Sequence, residues 1–216
     1  MTSIAIIGGT GYTGSNIAAE AVKRGHSVTA VSRHAPEHPL EGVTYVQGEI
    51  SDQGFIEKLA ADHDELVVAI HAVDADNQPV LPPLVPMLAD AAIKGGARLS
   101  FVGGAGSTLV APAGPRLVDT DFPEEYKPEA IAHAGILDWL RSDEKPEGLQ
   151  WFYLSPAAEY GAWNPGTALG SYRTSADVML TDDEGRSQIS GADYALAYVD
   201  EIEQRKHINQ RFVVGY

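Results

Sequence analysis

Ser3-Ile4-Ala5-Ile6-Ile7-Gly8-Gly9-Thr10-Gly11-Tyr12-Thr13-Gly14 opens the chain with an Ile-rich apolar run that breaks into glycines. A short apolar run with a glycine boundary reads as a buried strand. A helical pattern follows at once. Ile17, Ala18, Ala21 and Val22 share one face, Gly25 stops the helix, and Lys23 and Arg24 suit its negative end. Ser27 to Ser32 predicts a second strand. The glycines read as Gly8-x-x-Gly11-x-x-Gly14 or as Gly9-x-Gly11-x-x-Gly14. Glycine at such a junction permits a tight turn and close approach of the backbone to an anion, and the helix N-terminus adds free N–H groups.

The rhythm continues outward from this unit. Strands are predicted at 43–47, 65–71, 98–102, 149–154 and 211–214, and helices at 55–61, 80–94, 128–141 and 192–203. In the 80–94 helix, Pro82 and Pro83 suit a first turn and Pro86 suits it less. Alternating strands and helices imply a doubly wound α/β Rossmann fold, with a mainly parallel sheet covered on both faces. Residues 1–216 read as one domain, in which 157–216 contribute a substrate-side cap and the last strand. Residues 179–189, turning at Asp182-Asp183-Glu184-Gly185, predict a hairpin.

Composition narrows the function. The formal charge is −15, a surface that repels phosphate backbones, so nucleic acid is not an expected partner. The chain has no Cys, which excludes disulfides, thiolate nucleophiles and zinc–thiolate sites. No apolar run has membrane-spanning length, and no basic stretch precedes Ile4, so neither a membrane nor a leader is expected and a cytoplasmic setting follows. His34 and His38 have a metal-like spacing, but Pro36 and Pro39 break the helix that would align them, so no metal is expected.

The end of the second strand selects the cofactor. An acidic residue there would hold a ribose 2′-hydroxyl; the chain instead has Ser32-Arg33-His34. Arg33 can pair with a 2′-phosphate and Ser32 can donate to it, which points to NADP(H), with NAD(H) possible. The alternative is that Arg33 is a solvated surface residue.

With Gly8 to Gly14, Ser32-Arg33, Gly103-Gly104-Ala105-Gly106-Ser107 and Ser155-Pro156-Ala157 assembled, the chain resembles the atypical short-chain dehydrogenase/reductases. More narrowly it resembles the NADH-flavin reductase group, related to biliverdin reductase B. The segment Asp119 to Ala130 and the ending Gln210 to Tyr216 are similar to that group. The resemblance implies that Thr10, Tyr12 and Thr13 join the glycine loop at the pyrophosphate. It puts Glu49 and Ile50 beside the adenine, Ala69, Ile70 and His71 at the nicotinamide ribose, and Ser155, Pro156 and Ala157 at the nicotinamide.

Typical members of the wider family use a Tyr with a Lys four residues on. None of the nine tyrosines has that Lys. The relay that reduces ketones is therefore missing, while a flavin accepts hydride without it. The expected activity is hydride transfer from NADPH to a flavin, bound as substrate, or to a similar planar acceptor such as a quinone. The alternatives are a redox sensor that binds NADP(H) without turnover and a nucleotide-sugar epimerase. His133 is the candidate acid, or else a helical histidine packed beside Ile136 and Leu137. Ser107 is a candidate to orient the acceptor or the carboxamide, or else it bonds its own loop. Tyr160, Trp163 and Tyr172 are candidates for an aromatic wall, with Arg173 meeting an anionic tail.

Overall fold

The structure, a computed structural model, describes all 216 residues. Its strands are β1 (Ser3–Ile7), β2 (Ser27–Ser32), β3 (Val43–Gln47), β4 (Glu65–Val68), β5 (Arg98–Val102), β6 (Trp151–Ser155), β7 (Arg173–Ser175) and β8 (Gln210–Gly215). Its helices are α1 (Tyr12–Lys23), α2 (Gln53–Asp62), α3 (Val85–Gly95), α4 (Lys127–Arg141) and α5 (Gly191–Gln204). The strands form one sheet in the order β3-β2-β1-β4-β5-β6-β8-β7. Every pairing is parallel except β7 with β8. This is the doubly wound fold, and its order reverses between β1 and β4.

The central strands β1, β4, β5 and β6 are buried on both faces, and alternation along each one feeds two separate cores. Ala5, Ile7, Leu66, Val68, Trp151 and Tyr153 pack against Ile56, Leu88, Ala89, Ile136 and Leu137 of α2, α3 and α4. Ile4, Ile6, Val67, Phe152 and Leu154 pack on Ile17 and Ala18 of α1 and on Tyr194, Ala195 and Tyr198 of α5. No helix is long and apolar enough to cross a membrane.

Several boundaries follow local chemistry that the apolar pattern does not carry. Helix α2 starts two residues before the predicted 55, where the Asp52 side chain accepts from Phe55 N. Helix α3 starts at Val85, after a 3-10 turn at Pro82–Leu84, so Pro86 falls in the first helical turn, where its missing N–H costs nothing. Gly25 adopts φ +80° and ends α1 as expected.

The hairpin expected at 179–189 does not form. Asp182 to Gly185 do turn, with Asp182 N bonded to Arg186 O, but the arms pair elsewhere. Met179 N bonds Leu109 O, and Glu159 N bonds Ser187 O. The antiparallel edge is supplied instead by β7, which lies along β8. Residues 179–189 carry turn chemistry at their centre, but long-range partners chose how the arms pair.

Candidate functional site

The C-terminal ends of β1, β4, β5 and β6 meet at one edge of the sheet, around the switch point. The glycine loop there is built by contact. Gly8 has φ +84°, and a Cβ on it would lie 2.2 Å from Ala69 O. A Cβ on Gly14 would lie 2.2 Å from Gly8 O. A Cβ on Gly11 would touch only Gly8 O, at 3.3 Å, so Gly11 turns its bare face outward. Val31 O, on β2, accepts from the amides of Gly8 and Gly9 at 2.8 and 3.2 Å and pins the loop. Gly11 caps α1 without a side-chain bond, and the amides of Thr10, Tyr12, Thr13 and Gly14 have no protein acceptor. This cradle fits a diphosphate: unshielded amides at a positive helix end, with no side chain above them.

Arg33 follows β2, exposed, and is alone among the arginines in having no carboxylate or carbonyl partner. In a chain of charge −15, a guanidinium kept free of carboxylates is notable. Ser32 Oγ donates to His34 O at 2.6 Å, which folds the chain back beside Arg33. Ile50 packs half-buried against the α2–α3 core.

Some candidate residues contribute backbone only. The Tyr12 ring tilts 5.8 Å from Tyr160 and its hydroxyl reaches Gly191, on α5, away from the loop. Thr13 Oγ1 lies 2.8 Å from Tyr160 Oη. Ser155 Oγ, fully buried, accepts from Arg211 at 3.3 Å, and Pro156 and Ala157 are buried too. The aromatic wall does not assemble. Tyr160 is wedged against Tyr194 with centroids 4.7 Å apart, Tyr172 Oη bonds Asp200 at 2.5 Å, and Trp163 is exposed. Arg173, exposed, bonds the carbonyl of Thr181 at 2.5 Å and that of Tyr216 through one guanidinium nitrogen. Tyr160 and Tyr172 pack against the α1–α5 core, where they cover more apolar area than over an open crevice.

The β5 loop and α4 close the other side. Tyr153 Oη accepts from Gly104 N at 3.2 Å and donates to His133 O at 3.0 Å, so one phenol from β6 joins loop to helix. A Cβ on Gly104 would sit 3.3 Å from His133 Cβ, and one on Gly106 would sit 2.7 Å from Ala130 Cβ. His133 and Ser107 are both buried, and His133 Nδ1 and Ser107 Oγ have no partner. Two orphaned polar atoms beside a glycine loop are an observation in need of a ligand, since buried polar atoms nearly always pair.

Glu129 was not singled out by sequence reasoning. Its carboxylate accepts from Ala72 N and Val73 N at 3.0 and 2.9 Å, and lies 3.1 Å from His71 Nδ1 and 3.2 Å from His133 Nε2. Burial pushes this carboxyl up, but hydrogen bonds from His133 and His71 outweigh it and hold it well below the usual range. The bond to Glu129 in turn raises His71 against the opposing effect of burial. The one signal in the sequence was the Glu129–His133 spacing of four.

Comparisons with known proteins show the family of the chain. A family model described as NAD(P)H-binding matches residues 8–205. The uncharacterized protein YwnB of Bacillus subtilis is 36% identical over 219 residues, covering 98% of this chain and 97% of its own. A Streptococcus pneumoniae structure, provisionally named an NADH-flavin reductase, is 34% identical with TM-score 0.86 and covers 100% of this chain and 99% of that one. A Bacteroides thetaiotaomicron structure, provisionally named an epimerase, is 33% identical with TM-score 0.86 and covers 100% and 97%.

Proposed function

Because the chain belongs to the NAD(P)H-binding family, we propose that it is an NADPH-dependent reductase that passes hydride to a flavin or a similar planar acceptor such as a quinone. The observation that carries the cofactor is the pairing of four open amides at the start of α1 with an unpartnered Arg33 at the end of β2. Thr10, Tyr12, Thr13 and Gly14 hold the diphosphate through backbone N–H groups, and Gly8 and Gly11, whose own amides bond Val31 O and Gly8 O, shape the loop that presents them. Arg33 holds the 2′-phosphate; Ser32, expected to donate to it, instead spends its hydroxyl proton on His34 O and shapes the turn beside Arg33, and Ile50 backs the adenine. Ala69, Ile70 and His71 border the nicotinamide ribose, and the backbone of Ser155 to Ala157 borders the ring. The nicotinamide, when bound, supplies the hydride.

The chain's own residues orient and protonate. Ser107 Oγ and His133 Nδ1, unpartnered and buried, are the polar atoms left for the acceptor or carboxamide. An acceptor that gains hydride gains negative charge, and His133 supplies the neutralising proton. Kinship with NADH-flavin reductases and biliverdin reductase B, and a cytoplasmic setting, belong to the same reading. The name of the Bacteroides neighbour favours an isomerase instead. An isomerase needs a pair of proton-handling groups across the sugar, and no Tyr here has the Lys at +4.

Steady-state NADPH oxidation with FMN, with a quinone and with no acceptor tests the proposal. Turnover that depends on acceptor supports it. Tight NADPH binding with no turnover on any acceptor would replace it with a cofactor-sensing role.

A further inference from the structure

We propose that Glu129 is a positioning residue, whose carboxylate grips His133 Nε2 and so presents His133 Nδ1 as the atom that meets the acceptor. The inference rests on His133 being the proton donor of the proposed reduction. Glu129 and His133 lie one turn apart on α4, with Oε1 3.2 Å from Nε2. The same carboxylate takes the amides of Ala72 and Val73 and a ring nitrogen of His71. It therefore fixes the helix to the rim of β4 as well as fixing the ring. An imidazole with one nitrogen on a carboxylate has its orientation and tautomer decided, and the opposite nitrogen is left to react. Here that opposite nitrogen is buried and has no protein partner.

A structural clamp for the 71–73 turn would need only the two amide bonds. It would not need His133 on the same oxygen as His71. Gly104 and Gly106 back directly onto His133 and Ala130, so the ring sits against the loop that carries Ser107. The groups that contact the pair are His71 from the β4 rim and the Tyr153 phenol from β6, which donates to the His133 carbonyl. In the step itself, the acceptor gains hydride and its electron pair; His133 enters the step protonated on both ring nitrogens, gives up the Nδ1 proton, and keeps the Nε2 proton on Glu129. Solvent restores that proton after the product departs.

Two experiments on the full chain test this. The first is a heteronuclear NMR spectrum of the His133 ring nitrogens without cofactor, in the wild type and in Glu129→Gln. Loss of the carboxylate is expected to shift the Nε2 signal and release the ring's fixed tautomer. An unchanged pair of ring-nitrogen signals overturns the inference. The second is NADPH oxidation with FMN or benzoquinone. Glu129→Gln should lower kcat on the order of 100-fold, with little change in KM for NADPH. The double variant Glu129→Gln/His133→Gln should be no slower than His133→Gln alone. Additive losses overturn the inference and leave the His133 assignment standing, whereas a wild-type kcat in His133→Gln removes both. Parallel loss of Tm and kcat in Glu129→Gln and Glu129→Ala would make Glu129 a turn clamp and overturn its positioning role.

Discussion

Gly11 and Gly14 sit three residues apart in one loop, yet the structure gives them opposite constraints. A Cβ on Gly14 would overlap Gly8 O, whereas one on Gly11 would face open space apart from a 3.3 Å contact. Gly14→Ala should therefore cost about 1–3 kcal/mol of stability, read as a lower urea midpoint. Gly11 has φ −74°, which alanine adopts freely. Gly11→Ala should keep the wild-type midpoint and lose NADPH affinity by calorimetry. Arg33→Ala should weaken NADPH about 10- to 100-fold, the worth of a charge-assisted phosphate contact, and leave NADH nearly unchanged. Equal losses would detach Arg33 from the 2′-phosphate. The glycine positions were legible in the sequence because local backbone geometry dictates them. Glu129 was not, because its partners His71, Ala72 and Val73 lie more than fifty residues away and only folding brings them together.

At the scale of the element, the helices that frame the crevice are set by caps and by their partners. Ser190 Oγ accepts from Asp193 N at the start of α5 and donates to the Asp193 carboxylate. Asp193 also takes the amides of Leu169 and Gly170, so the cap organises the loop before it. Ser190→Ala should lower stability by about 1 kcal/mol, checked by thermal melting. The tail from 157 to 190 was the least legible part of the chain. It has no sustained period, and its Tyr160 and Tyr172 are claimed by Thr13, Tyr194 and Asp200 across the molecule. The regular helices were legible because one apolar face per helix is a local pattern that survives folding.

Across the whole molecule, the end of the sheet opposite the glycine loop holds a buried charge cluster. Arg98 Nη2 bonds Glu201 Oε1 at 2.5 Å, His207 Nδ1 bonds Glu201 Oε2 at 2.7 Å, and Glu65 lies buried beside them with Oε2 unpartnered. Burial pushes the Glu65 carboxyl up to about 8, against Arg98 and Arg205. The folded chain thus keeps a proton that the unfolded chain releases above its value of 4.5. The stability from that proton is complete at acid pH and is lost as pH rises toward 8. Glu65→Gln should remove this slope and be more stable than the wild type at pH 8.5, by urea titration at several pH values. Glu129 has the opposite sign: its lowered carboxyl stabilises above the ordinary carboxylate range and loses that contribution only on strong acidification. Removing one partner of the buried Arg98–Glu201 pair, as in Glu201→Ala, should cost about 3–5 kcal/mol because it strands a charge.

The residues in order were enough to determine the alternation of strands and helices, the glycine loop and the basic end of β2, since each depends on neighbours within a turn or a strand. Tertiary structure alone decided that β7 rather than a hairpin edges the sheet, that Tyr160 and Tyr172 pack against the core while Trp163 stays exposed, and that Glu129 joins two histidines. Those outcomes depend on contacts between distant segments, whose competition for apolar area and hydrogen-bond partners is resolved only when the chain is compact.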